Sequence, residues 1–254
     1  MLHRAAYAAL GLDWSYDAHE VDEAGLARFL DGLDGSWRGL SLTMPLKRAV
    51  LPLLDDVSET ARRAGVVNTV VLRDGRRSGH NTDVGGVAAA VSERYDGPVD
   101  RAVVVGGGAT AASALLGLAH LGCRAVTLLV RDEARAAGTV AAAGRHAQEL
   151  AVEVRRIGDR VAPADVLVST IPAAAQSADV LRLLEGAAAV LDVVYDPWPT
   201  PLARAAEGSG RALVSGLDLL VHQAVRQVEL MTGRPTVALE VMRDAGRRAL
   251  AASD

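Results

Sequence analysis

Four short stretches carry groups whose types and spacing suit chemistry. Gly106-Gly107-Gly108-Ala109-Thr110-Ala111 fits the pattern G-x-G-x-x-G/A. Gly106 permits a tight turn, Gly108 lets the backbone approach a pyrophosphate with no Cβ in the way, and Ala111 keeps a helix close to a strand. A helix N-terminus placed there offers free N–H groups and positive partial charge to phosphates. Thr43-Met44-Pro45-Leu46-Lys47 sets an amine just past a strand end on a proline-fixed turn, and Gly79-His80-Asn81-Thr82-Asp83 sets a carboxylate in a short turn. Taken alone, such charges are most often solvated. Asn68 interrupts the apolar run 66–71. A buried amide needs hydrogen bonds, so Asn68 is either an outward-facing edge residue or a ligand contact.

The elements that must position these groups follow from hydrophobic periodicity. The apolar runs 102–105 and 125–130 flank a helical pattern carrying Leu115, Leu118 and Leu121. Two such runs around one helix form a parallel βαβ unit, with the glycines in the strand-to-helix turn. Downstream, the pattern gives a helix over 133–150 and strands over 152–157, 166–170, 188–195 and 211–215. This is an α/β class, a Rossmann-like doubly wound parallel sheet with ligand sites beyond the carboxyl ends of its strands. Gly106, Thr170, Tyr195 and Gly216 fall at such ends.

Upstream, the pattern predicts a smaller α/β unit. It has helices over 2–10, 23–33, 46–54, 58–64 and 84–95 and strands over 14–21, 40–43 and 66–72. A turn at Arg73-Asp74-Gly75 returns 77–80 as a hairpin partner. Asp96-Gly97-Pro98 marks the boundary, and two closing helices, 217–231 and 236–251, are separated by Gly233. The expected domains are 1–97, joined by 220–254, and 98–219.

Composition narrows the partners. The chain has 254 residues, 50% hydrophobic and 23% charged, enough for two modest domains. A net charge of -4 with no basic block argues against nucleic acid. The single cysteine, Cys123, has no internal disulfide partner and reads as a buried structural thiol. No metal site is read. No apolar run reaches membrane length and no signal peptide precedes Leu2, so the expectation is a cytoplasmic protein, monomer or homodimer, acting on a small molecule.

In order along the chain, these motifs resemble the shikimate dehydrogenase family. Ser41-Leu-Thr43-Met-Pro45-Leu-Lys47 looks like its N-x-T-x-P-x-K, Val67-Asn68-Thr69 like its A-x-N-T, and Gly79-His-Asn81-Thr82-Asp83 like its G-x-N-T-D. Gly106 to Ala111 looks like its cofactor loop. Ser169-Thr170-Ile171-Pro172, Asp192 to Pro197 and Gly216-Leu-Asp-Leu-Leu-Val-His-Gln223-Ala224 occupy the remaining signatures. The resemblance implies NADP-dependent, reversible reduction of 3-dehydroshikimate to shikimate in aromatic amino-acid biosynthesis.

By the same resemblance, Lys47 and Asp83 are the catalytic pair, and Thr43, Asn68, Asp83 and Gln223 hydrogen-bond the substrate hydroxyls. Tyr195 meets the substrate and cofactor edge. The implied cofactor residues are Gly106, Gly107, Gly108, Ala109, Thr110, Ala111, Thr170, Ile171, Gly216 and Leu219, with Arg131 and Arg135 at the ribose 2′-phosphate. These arginines favour NADP over NAD, and Asp132 opposes the phosphate if it turns inward. Ser41 stands where the family has asparagine. A quinate or aminoshikimate paralogue and a non-catalytic dinucleotide-binding module are the alternatives. The family's first apolar strand and S-x-S-P have no counterpart before the segment beginning at Met1, so the expectation is that an upstream in-frame sequence encodes them.

Overall fold

Leu2, Ala6 and Tyr7 recur on one face of helix α1 (Leu2–Ala9), and that face is buried. The computed structural model describes residues 1–145, 150–235 and 239–252 of the chain. They form two compact units, Met1–Thr82 with Val221–Asp254, and Asp83–Leu220.

In the first unit, residues 12–22 follow α1 without regular structure, where alternation predicts a strand over 14–21. The alternating aromatics serve α1 instead of a ladder. Tyr16 stacks on His3 with ring centroids 4.0 Å apart, Trp14 meets Tyr7 edge-on at 5.3 Å, and Arg4 Nε donates to the Tyr16 carbonyl at 2.8 Å. Next come α2 (Leu26–Asp31), β1 (Gly39–Ser41), α3 (Leu46–Ala49), a 3-10 turn at Leu51–Leu53, β2 (Asp56–Val57) and α4 (Glu59–Ala64). Ser58 caps α4 by accepting from Ala61 N, and Gly65 ends it at φ 62, a left-handed conformation that glycine adopts without a Cβ penalty.

Strands β3 (Thr69–Arg73) and β4 (Arg76–His80) form a hairpin through Asp74 and Gly75, both at positive φ, which matches the right-handed twist of the strands. The sheet order is β1-β3-β4-β2, and Leu26, Leu30, Leu46, Val50, Val67 and Val70 pack into its core.

The second unit begins with α5 (Asp83–Arg94), β5 (Arg101–Val105), α6 (Ala109–His120), β6 (Ala125–Val130) and a 3-10 turn at Glu133–Ala136. It continues with α7 (Ala137–Gly144), β7 (Ala151–Arg156), β8 (Ala164–Ser169), α8 (Ala178–Arg182), β9 (Ala187–Asp192), α9 (Pro201–Gly208) and β10 (Ala212–Val214). The helix expected over 133–150 is thus divided, and 146–149 lie outside the described residues. All six strands run parallel in the order β10-β9-β8-β5-β6-β7, the doubly wound order whose direction of winding reverses at β5. Residues 102–105 of β5 are buried, as expected for a strand covered on both faces.

The sequence break at 96–98 lies inside this unit, because α5 packs tightly on α6. A Cβ on Gly117 of α6 would stand 2.7 Å from the Val84 carbonyl oxygen and 2.8 Å from Val87 Cβ, so the two backbones come nearly into contact. Helix α10 (Gly216–Thr232) starts in this unit and returns the chain to the first, where α11 (Leu239–Ala251) closes against α1. Residues 236–238, expected to open that last helix, lie outside the described residues. Among the described residues, no helix is long and apolar enough to cross a membrane.

Candidate functional site

The polar residues of the first unit converge on Asn68, at the mouth of β3. Asn68 is 1% exposed, so its amide must be satisfied internally. Its Oδ1 accepts from the Thr82 backbone N–H at 2.9 Å and from the Thr69 hydroxyl at 2.8 Å. Its Nδ2 donates to Thr82 Oγ1 at 2.9 Å and to Gln223 Oε1 at 3.1 Å. The edge-residue alternative is therefore excluded: Asn68 is an internal hub.

Backbone bonds tie the segment of the motif lysine to this hub. Val67 N–H donates to the Lys47 carbonyl at 2.8 Å, and Leu42 N–H donates to the Asn68 carbonyl at 2.7 Å. Lys47 is half-buried on α3, and Thr43 is exposed, its carbonyl receiving Leu46 N–H at the start of that helix. Asp83, 6% exposed, follows Thr82 directly and opens the second unit. Asn81 Nδ2 donates to the Val66 carbonyl at 3.1 Å, which holds the turn preceding Asp83.

Behind Asn68 lies a second layer that motif reasoning does not select. Gln227, 1% exposed on α10, donates through Nε2 to Thr69 Oγ1 at 3.0 Å and accepts at Oε1 from the Ser41 hydroxyl at 2.8 Å. Ser41 also bonds the Tyr16 hydroxyl, while burial pushes that phenol above its usual range. His3 contacts Gln227 and is pulled down to about 4, because burial disfavours the imidazolium. The legible signal is Gln223 and Gln227 spaced by four, which puts both on one face of a helix.

In the second unit the glycine loop has two kinds of glycine. Gly106 adopts φ +111, and a Cβ there would collide with Thr170 Oγ1 and press on Ile171. Thr170 is fixed by its own bond to the Val105 carbonyl at 2.9 Å. Gly106 is therefore required by the fold, and the structure brings it together with Thr170 and Ile171. Gly108 differs. It is extended, precedes the first residue of α6, and a Cβ on it would meet nothing within 4 Å. Among the described residues, no neighbour demands glycine there. No side chain caps the N-terminus of α6 at Ala109 and Thr110, while Ala111 is fully buried. Thr139, on α7, donates to the carbonyls of Gly107 at 2.9 Å and Gly108 at 3.2 Å, and so holds the loop from behind.

The remaining expected residues lie at the carboxyl ends of strands. Arg131 is exposed after β6. The Asp132 carboxylate accepts from Ala134 N–H at 3.0 Å and caps the 3-10 turn. Arg135 belongs to that turn, and its side chain lies outside the described set. Tyr195 is 44% exposed beyond β9. Before it, Asp192 is fully buried and receives Gln176 Nε2 at 2.7 Å and the Thr200 hydroxyl at 2.6 Å; burial raises its pKa. Gly216 opens α10 where a Cβ would stand 2.5 Å from the carbonyl oxygens of Val193 and Val194. Ser215 and Asp218 cap one another reciprocally, and Arg94 donates to Asp218 at 2.7 Å. Leu219, one residue on, is buried.

Known proteins resemble this chain in sequence and fold. Residues 1–70 match the shikimate dehydrogenase substrate binding domain, and residues 216–245 match the shikimate 5′-dehydrogenase C-terminal domain. The shikimate dehydrogenase (NADP(+)) of Methanothermobacter thermautotrophicus is 33% identical over 98% of this chain and 91% of its own. The crystal structure of Mycobacterium tuberculosis shikimate dehydrogenase aligns with a TM-score of 0.85 at 40% identity, covering 99% of this chain and 93% of that one. Quinate dehydrogenase from Corynebacterium glutamicum, in complex with NAD, aligns with a TM-score of 0.82 at 30% identity, covering 98% and 93%.

Proposed function

The chain belongs to the shikimate dehydrogenase family of oxidoreductases, and from that premise we propose that it interconverts 3-dehydroshikimate and shikimate with NADP. The observation that carries this reading is the buried Asn68 amide and Thr82 hydroxyl bonded to the half-buried Gln223, tied through backbone to Lys47 and followed at once by Asp83. A polyhydroxylated acid loses water from each hydroxyl on binding and needs polar replacements. Thr43, Asp83 and Gln223 supply them, with Asn68 engaging Gln223 from behind, and the resemblance adds Tyr195 as a substrate contact.

The bound cofactor supplies a hydride to the substrate carbonyl carbon. The chain supplies the proton: the Lys47 ammonium donates to the developing alkoxide, or stabilises it, and Asp83 holds and orients the amine. In the oxidising direction the same pair receives the hydroxyl proton. The residues present suit NADP. Gly108 offers an approach free of Cβ, and the first turn of α6 offers N–H groups with no side-chain cap. Arg131 provides a guanidinium for the 2′-phosphate. Asp132, engaged by Ala134 N–H, is drawn toward its own turn, which reduces the repulsion expected of it. Gly216 would offer backbone, and the largely buried Leu219 an apolar contact, to the nicotinamide.

Likeness to a quinate dehydrogenase crystallised with NAD supplies the second reading. Measuring kcat/KM for shikimate and quinate, each with NADP and NAD, separates them. The expected result is highest efficiency with shikimate and NADP. A higher value for quinate, or for NAD, overturns the corresponding part of the proposal.

A further inference from the structure

The proton positions in the Asn68 cluster are not free choices, and they can be worked out bond by bond. The Thr82 backbone N–H can only donate, so the Asn68 atom 2.9 Å from it is the carbonyl oxygen. An amide oxygen can only accept, so the Thr69 hydroxyl 2.8 Å away donates to it. Having spent its proton there, Thr69 Oγ1 must accept from Gln227, which fixes the nearer Gln227 atom as Nε2. The other Gln227 atom is then Oε1, and Ser41 donates to it. On the opposite side, Asn68 presents Nδ2 to Gln223, so the Gln223 atom 3.1 Å away is its oxygen. The Gln223 NH2 is consequently the end turned away from the hub.

We propose that the hydrogen-bonded chain Ser41–Gln227–Thr69–Asn68 is a positioning device for Gln223: it holds the Gln223 amide with its NH2 toward the ligand and thereby selects a substrate oxygen that accepts, such as a hydroxyl lone pair. The inference rests on the reading that Gln223 contacts substrate. Gln227 touches no ligand in this account; it acts through Thr69 and Asn68 as a positioning residue. Three features support a dedicated device. Gln227 is 1% exposed and Thr69 fully buried, so neither side chain finds water as an alternative partner. Ser41 stands in the chain where the family pattern has asparagine, and its hydroxyl is used in full view of Gln227. The bonds all have one direction, each donor pointing from Ser41 toward Asn68 and from Asn68 toward Gln223.

Steady-state kinetics on Gln227→Leu, Thr69→Val, Thr69→Ser and Gln223→Ala test it, with NADPH affinity and melting temperature measured alongside. Cutting the chain leaves the Thr82 N–H as the donor that still holds the Asn68 carbonyl oxygen and loosens the Gln223 amide, so Gln227→Leu and Thr69→Val should each raise KM for shikimate by about two- to tenfold, the scale of one neutral hydrogen bond. Their kcat should stay within about threefold and NADPH affinity should not change, which a general loss of structure would not produce. Thr69→Ser keeps the hydroxyl and should restore KM. Combining Gln227→Leu with Thr69→Val should add little, since both cut one chain. If Gln227→Leu folds poorly, the comparison of Thr69→Val with Thr69→Ser still decides. Unchanged KM in Thr69→Val, or additive effects in the double variant, overturns the positioning device. Unchanged KM in Gln223→Ala overturns the substrate-contact reading itself, whereas a raised KM there with normal Thr69→Val removes only the device.

Discussion

Two glycines two residues apart should respond to substitution in opposite ways, which tests the loop more sharply than either would alone. At Gly106 the backbone sits at φ +111, and an added Cβ collides with Thr170 Oγ1. A residue with a Cβ pays about 1–3 kcal/mol for that conformation. Displacing Thr170 from the Val105 carbonyl costs about 1 kcal/mol more. Gly106→Ala should therefore lose roughly 2–4 kcal/mol, a fall in melting temperature of about 5–15 °C for a chain of this size. At Gly108 the backbone is extended and a Cβ meets nothing within 4 Å. Gly108→Val should cost under about 1 kcal/mol, the scale of a poorer helix-capping residue.

The cofactor reverses the order. A branched side chain at Gly108 stands where the pyrophosphate must approach, and an overpacking cost of about 1–3 kcal/mol raises the Kd for NADPH by roughly 5- to 150-fold. Thermal melts without cofactor and fluorescence titration with NADPH measure both quantities. A Gly108→Val protein that binds NADPH like the parent would refute the pyrophosphate cradle. A Gly106→Ala protein that melts with the parent would refute the strain argument.

Other substitutions probe the remaining groups. Lys47→Ala should lower kcat by about a hundredfold or more, the usual scale for a positioned acid-base group, with NADPH titration unaltered; near-parental kcat removes Lys47 from the reaction. Arg131→Ala should cut the ratio of kcat/KM with NADP to that with NAD by about 10- to 100-fold, since a charged hydrogen bond contributes about 1.5–3 kcal/mol, and an unchanged ratio places the phosphate elsewhere. His3 should make stability depend on pH. Burial, only partly offset by its bond to Gln227 and reinforced by repulsion from the N-terminus, pulls it down to about 4, below the value near 6.5 of an unfolded histidine. The unfolded chain therefore binds the proton first: the contribution is complete above about pH 6.5 and falls as pH drops toward 4. At about 1.4 kcal/mol per pH unit, urea titration should show a loss of about 2 kcal/mol between pH 6.5 and 5, which His3→Phe abolishes; equal slopes in parent and variant contradict the assignment.

The parts of the fold that were legible share one property, that the signal and its cause are close in sequence. Strands β5 and β6 are unbroken apolar runs because they are covered on both faces, and the glycines after β5 mark the turn from strand into helix α6. The hairpin of β3 and β4 is written in Asp74 and Gly75, which accept positive φ. Where the cause is distant, the reading fails. Alternation over 14–21 imitates a strand, but Trp14 and Tyr16 alternate to reach Tyr7 and His3 on α1. Asp96-Gly97-Pro98 has the composition of a linker, yet the division falls before α5, because Gly117 brings α6 against Val84 and Val87.

The candidate site divides in the same way. Its motif residues are readable because a proline, a glycine or an amide in an apolar run stands out locally. Gln227 does not stand out: on α10 it resembles a helix-surface glutamine, and its partner Thr69 is 158 residues away. What decides its role is burial, which forbids water as a substitute partner and so makes each bond obligatory. Ser41 is a neutral exchange when compared with the family's asparagine one position at a time. Set opposite Gln227, it is the donor that Oε1 needs once Nε2 is committed to Thr69. An asparagine at that position would bring both an acceptor and a donor on a longer stem to a glutamine that requires only a donor. Substituting Ser41→Asn alone should therefore disturb the Asn68 cluster more than its conservative appearance suggests, read as a raised KM for shikimate that adding Gln227→Leu does not raise much further, since both cut one chain; a parental KM in Ser41→Asn would show that the Ser41 hydroxyl contributes nothing to the cluster.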